Sequence, residues 1–175
     1  MQPSLWLYLL LCLFAGSVPP NTKIEESEIR FQIVNAGLTV NGTFTGTEAA
    51  IQFNPEHPEQ ALIQASVPVN TIKTGLTLRD KHLQKPDYFD AEKNPMITLQ
   101  SKTIRKISPN TYEGIFELTM KGIHRDVKLP FSVSPKNEFI GNLKVNRLDF
   151  DLGKPSLILA DEVMINIRVK MAEGS

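Results

Sequence analysis

Between Arg79 and Asp90 the chain reads RDKHLQKPDYFD, which gathers a guanidinium, an imidazole, a phenol and three carboxylates into one short stretch. Arg79 and His82 are suited to donate hydrogen bonds to an anionic or polar head group, with Asp80 orienting them through charge-assisted bonds. The same residues have a purely structural use, in which Asp87 and Asp90 cap and turn the chain while Arg79 and Asp80 bond backbone groups. They also have a catalytic one, in which the Arg79, Asp80, His82 cluster works on a diphosphate by acid–base chemistry. Farther along, Arg147 and Asp149 continue an apolar face at two-residue steps, so they point inward as a ligand contact or as a mutual ion pair at a rim, unless a bulge near Leu148 turns them out. A metal would need His82, Asp87 and Asp90 to converge, joined by His57 or His124. Neither spacing matches a metal-binding motif, and no metal is expected. The sequence holds no Gly-rich phosphate loop and no G-x-S-x-G elbow.

These side chains sit in a chain of 175 residues with 19 Lys+Arg against 19 Asp+Glu. The balance and the scatter of the basic residues argue against nucleic acid as a partner. Residues 1–20 carry no charge, and their apolar run from Leu5 to Ala15, followed by Gly16 and Ser17, is too short to span a bilayer but suits an export signal. The expected organisation is therefore a signal peptide over 1–20 and one domain over 21–175, exported to a compartment such as a periplasm. No integral membrane segment should remain after processing. The single cysteine, Cys12, falls inside the signal, and Leu11 stands where a lipid-attachment site would have a small residue, so a lipid anchor is not expected. A domain without thiols has no disulfide and no Cys-based zinc site.

Beyond Glu28 the dominant period is two. Alternation predicts strands at Ile29 to Val34, Leu38 to Thr45, Ala49 to Phe53, Leu62 to Val69, Met96 to Ile104, Tyr112 to Met120, Val127 to Val133, Phe139 to Arg147 and Val163 to Met171. The first two or three are readable as one long bent strand or as separate ones. Turn chemistry falls between the runs, at Asn41-Gly42, Asn54-Pro55, Ser108-Pro109-Asn110, Lys121-Gly122, Ser134 to Asn137 and Gly153-Lys154-Pro155, so successive strands should pair antiparallel. Asp161 and Glu162 read as loop charges. Only residues 77–85 suit a helix, closed by Pro86. A sheet with one dry face and one short helix must hide that face by curling or by forming a sandwich, and closure would also remove its edges. The small residues Ala49, Ala61, Ala65, Gly114 and Gly141 are expected to leave room beside Phe31, Phe116, Phe131 and Phe139.

The segments LRDKHLQKPDYFDAEKNPMITLQS from Leu78, GIFELTMKGIHRDVKLPFSV from Gly114, and NRLDF with LADEVMINIRVKM, ending at Met171, together resemble the YceI-like family of polyisoprenoid-binding proteins. The resemblance implies an all-β, lipocalin-like antiparallel barrel of about eight strands with one short helical insert. It also implies an exported bacterial protein that holds a long isoprenoid or similar alkyl chain without turnover and uses no other cofactor. The chain departs from the family pattern at Val34-Asn35-Ala36-Gly37, where V-x-H-x-G is common, and at Asp149-Phe150-Asp151, where D-F-G is usual. The ligand contacts expected are Arg79, Asp80, His82 and Arg147 for a polar head, and Phe31, Phe116, Leu118, Phe131, Leu143, Ile165 and Ile167 for the chain. The primary expectation is a carrier. An enzyme acting on an isoprenoid diphosphate and a structural barrel with a filled core are the alternatives, and homodimerisation stays open.

Overall fold

The computed structural model describes residues 23–172. The readings placed on residues 1–20, Cys12 among them, lie outside the described residues. Among the described residues nine strands follow in order: β1 Ile24–Asn35, β2 Leu38–Phe44, β3 Glu48–Gln52, β4 Leu62–Pro68, β5 Met96–Ser108, β6 Thr111–Met120, β7 Ile123–Val133, β8 Glu138–Asn146 and β9 Leu159–Met171, with the helix α1 at Thr77–Leu83. Several strands outrun their alternating segments. β5, β7 and β9 extend by several residues into polar sequence, because main-chain ladders persist where one face no longer needs to be dry. The first three strands are separate, and Asp161 and Glu162 belong to β9 and not to a loop.

All nine strands form one antiparallel sheet in the order β2-β1-β9-β8-β7-β6-β5-β4-β3. Its two outermost strands, β2 and β3, are consecutive in the chain and separated only by residues 45–47. Four residue steps reach about 14 Å at most, so the sheet must curl until its edges lie side by side. The expected closure is nevertheless incomplete, since β2 and β3 share no ladder. The seam is instead clipped by residues 69–73. Thr43 and Lys73 exchange two main-chain bonds of 2.9 and 3.0 Å, and the Thr71 hydroxyl accepts from the Thr45 amide and donates to the Thr45 carbonyl.

Two hairpins use paired left-handed residues, Ala36-Gly37 between β1 and β2 and Lys121-Gly122 between β6 and β7, as tight antiparallel turns demand. The turn expected at Asn41-Gly42 does not occur there, because both residues lie within β2, opposite Gln32 and Phe31. Gly42 serves packing: a Cβ on it would come within 2.1 Å of the Phe31 ring. The other interior glycines behave similarly. A Cβ at Gly114 would meet the Phe116 ring at 2.4 Å, and one at Gly141 would press on Leu129 and Phe131. These glycines therefore seat side chains and do not open space, contrary to the sequence-based expectation.

The enclosed volume divides lengthwise. Around Tyr112, Phe116, Phe131 and Phe139, with Phe53 from the loop after β3, the interior is solid. Ring centroids there stand 4.9 Å apart for Phe53 and Tyr112, 5.5 Å for Tyr112 and Phe131, and 6.2 Å for Phe131 and Phe139. Such edge-on and offset contacts hold aromatic cores together beyond simple area burial. Toward the α1 end the interior is hollow.

Candidate functional site

The hollow half is a cavity of about 320 Å³, within the size range of pockets that hold small ligands. Its wall follows from strand register. Phe31, Ile165 and Leu143 lie level across β1, β9 and β8, with Ile29 and Ile167 one rung to one side and Ile33, Val163 and Val145 one rung to the other. Facing them, Ala65, Leu99 and Leu118 form a rung across β4, β5 and β6. Side chains from alternate positions share a face, so period two in each strand becomes a continuous apolar lining. From Val163 to Val169 that lining runs six residues, roughly 20 Å along β9 at the usual strand rise.

The cap is built by the segment from Thr74 to Phe89. Thr74 organises it: its amide and hydroxyl donate to Asp80 Oδ1 at 2.8 and 2.5 Å, and its hydroxyl and carbonyl oxygens accept from Arg79 Nε and Nη2 at 2.7 and 2.6 Å. Arg79 thus faces the cavity while tied to the loop before the helix. Asp80 does not line the cavity and serves this staple. The His82 ring lies edge-on to Tyr88 at 5.1 Å, and both line the cavity with Leu83 and Phe89. The Asp87 carbonyl accepts from Gly153 N–H, and Asp90 takes the left-handed conformation, with its carbonyl accepting from Lys93 and Asn94 and its carboxylate 3.7 Å from Lys93 Nζ.

Arg147 is 3% exposed at the cavity edge. β8 ends at Asn146 and a 3₁₀ turn covers Arg147–Phe150, capped by the Asn146 side chain on the Leu148 amide. This turn replaces the bulge considered near Leu148. It sends Asp149 to solvent, so the expected Arg147–Asp149 pair does not form. Arg147 instead donates from Nε to the Ala160 carbonyl at 2.9 Å, from Nη1 to Leu152 at 2.9 Å, and from Nη2 to Asp161 Oδ1 at 2.8 Å and the Leu159 carbonyl at 3.4 Å. A buried guanidinium so fully paired pins the loop between β8 and β9 to the cavity mouth.

Eight of the eleven expected contact residues border the cavity: Phe31, Arg79, His82, Leu118, Leu143, Arg147, Ile165 and Ile167. Asp80 stands behind it, and Phe116 and Phe131 belong to the solid aromatic half. The sequence reading missed Phe44 at the seam, Phe89 in the cap and Met120 at the end of β6, two residues beyond Leu118. It also missed Thr47, whose buried hydroxyl borders the cavity and is without a hydrogen-bond partner in the structure. Among the described residues no three His, Cys, Asp or Glu side chains converge as metal ligands. His57 instead lies 3.5 Å from Glu59, and His124 Nδ1 lies 2.9 Å from the Thr119 hydroxyl. No helix among the described residues is long and apolar enough to cross a membrane.

Comparison with solved structures shows the same architecture. BcnA of Burkholderia cenocepacia superposes with a TM-score of 0.79 at 25% identity, covering 85% of this chain and 98% of its own. The YCEI protein of Campylobacter jejuni gives 0.69 at 26% identity, covering 77% and 85%. A polyisoprenoid binding domain from Saccharophagus degradans gives 0.65 at 9% identity, covering 86% and 96%, a likeness of fold alone. Among sequences, a UPF0312 protein of Pectobacterium carotovorum is 28% identical over 106 residues, which span 60% of this chain and 55% of that protein. One from Azotobacter vinelandii is 21% identical over 156 residues, covering 83% and 81%. Residues 21–171 match the family described as the YceI-like domain, so the nine-stranded curled sheet with its capped hollow belongs to the YceI-like family.

Proposed function

We propose that the protein is a carrier that sequesters the isoprenoid or other long alkyl chain of a lipid in the hollow half of its barrel. The observation that carries this reading is the cavity of about 320 Å³ bounded by aliphatic rungs from six strands, with polar groups confined mostly to its mouth and seam. Apolar surface buried there contributes about 25 cal/mol per Å², less the costs of association, so affinity needs few polar contacts. Arg79, His82 and Arg147 stand where a head group would emerge, and the unpartnered Thr47 hydroxyl offers one contact deeper in the seam. The polyisoprenoid-binding description of the Saccharophagus neighbour agrees with this choice of ligand class.

Catalysis by Arg79, Asp80 and His82 is the weaker reading, since Asp80 is spent on Thr74 and His82 rests on Tyr88, which leaves no acid–base relay among them. The carrier works outside the cytoplasm, residues 1–20 acting as its export signal. Native mass spectrometry of protein purified from its own host should reveal one long-chain lipid per chain, lost on Ile165→Trp, which fills the cavity. Intact mass of the same sample reports cleavage of the signal. Protein that is reproducibly empty, or lipid retained by the Ile165→Trp variant, would overturn the reading.

A further inference from the structure

Three segments surround the cavity mouth. The hairpin tip at residues 34–38 contributes Asn35 to its lining, the cap at 73–81 contributes Thr74 and Arg79, and the loop at 153–160 contributes Leu159. They are joined to one another or to the sheet: the Ala36 amide donates to the Ile158 carbonyl at 2.7 Å, and Lys73 is bonded to Thr43 of β2. Among the described residues nine large hydrophobic side chains are exposed, and six of them, Val34, Leu38, Leu76, Leu78, Leu157 and Ile158, lie on these segments. Leu38 is 73% exposed and Leu78 86%. Single exposed leucines are ordinary, but a collar of them around one opening is not.

Charge on the same segments is one-sided. Within these bounds Lys73, Arg79, Lys81 and Lys154 stand against one carboxylate, Asp80, which is held by Thr74; of the flanking carboxylates Asp161 is paired with Arg147, and the exposed Asp87, Asp149 and Asp151 lie beside Lys85 and Lys121. Apolar side chains that can enter the acyl boundary, flanked by lysines that can meet phosphates, match an anionic bilayer surface. We infer that the protein docks mouth-first on an anionic membrane through this collar, so that lipid passes between bilayer and cavity without crossing water. The docking stands on the collar and not on the cavity's contents, so the two can fail separately.

The test is flotation of protein purified from its own host with phosphatidylglycerol–phosphatidylcholine vesicles and with vesicles of phosphatidylcholine alone. The wild type should bind the anionic vesicles, and each of Lys73→Gln, Lys81→Gln and Lys154→Gln should weaken binding about fivefold. The double variant Leu78→Asp/Leu157→Asp should lose binding at least tenfold, as expected for a charge placed at the acyl boundary. Ile107→Asp, at an exposed site by the opposite end, should leave it unchanged. Because the substituted side chains are exposed, unchanged thermal melts certify the fold.

The collar variant should still take up lipid from detergent solution, and Ile165→Trp should still float. The inference is overturned if the wild type ignores anionic vesicles, if Ile107→Asp loses as much as the collar variant, or if Ile165→Trp abolishes flotation, which would mean lipid capture alone. It is equally overturned if the collar variant dissolves a dimer in sedimentation while leaving vesicle binding intact, since the collar would then be a contact between two copies.

Discussion

The two halves of the barrel interior are drawn from the same strands and obey the same alternation, yet one is solid and the other hollow. In the solid half, aromatic rings from β6, β7 and β8 meet Phe53 across the middle, and Gly114 and Gly141 are cut away to admit them. In the hollow half, branched aliphatics line opposite walls and stop short of one another, with Ala65 set opposite the Phe31, Ile165, Leu143 rung. Alternation decides which side chains face inward. Whether they fill the interior depends on how far each reaches.

This division is broken most directly by Phe131→Ala, which removes a ring stacked between Tyr112 and Phe139. It should cost about 3–5 kcal/mol in urea unfolding while lipid occupancy of the folded protein persists. A loss no greater than that of a hollow-half residue would refute it. Next in size is Arg147→Ala at the hollow end, expected to cost about 2–3 kcal/mol because several carbonyls and Asp161 lose their partner. Asp161→Asn should cost about 1 kcal/mol or less, since that carboxylate is 45% exposed. In the hollow wall, Ile165→Ala should cost about 2 kcal/mol or less, because the side chain is half-buried and already borders empty space.

The smallest effect lies on the outer face of the solid half, where hydrogen bonds from Lys128 and then Arg105 hold the Glu113 carboxyl below the usual carboxylate range. A group depressed in the folded state contributes stability that is complete above the ordinary carboxylate pKa and disappears as pH falls through the lower folded value. Acid titration of unfolding should therefore show a shallow loss in that window, absent in Glu113→Gln.

Much of this was legible beforehand. Period two located all nine strands, and the run from Arg79 to Asp90 marked the polar cluster that the structure sets in the cap. The alternating face Val163, Ile165, Ile167 and Val169 did become cavity wall. What escaped was set by distance in sequence. Gly42 looked like a turn because its reason, the Phe31 ring across the hairpin, lies eleven positions away. Arg147 looked like a partner for Asp149 because a 3₁₀ turn leaves no periodic trace. Phe116 and Phe131 differ from Phe31 only in which ring lies opposite, and alternation carries no such information.

The seam between β2 and β3 sets how the molecule can breathe. Elsewhere neighbouring strands are zipped by ladders that must open cooperatively, although β7 and β8 pair over three rungs only, Phe131–Gly141, Ser132–Ile140 and Val133–Phe139, all in the solid half. Along the seam, two main-chain bonds at Lys73 and one threonine hydroxyl hold the edges together. Any swelling of the hollow half would meet least resistance along this seam and along the unladdered stretch between β7 and β8, as a garment gives at its fastenings and not in its weave.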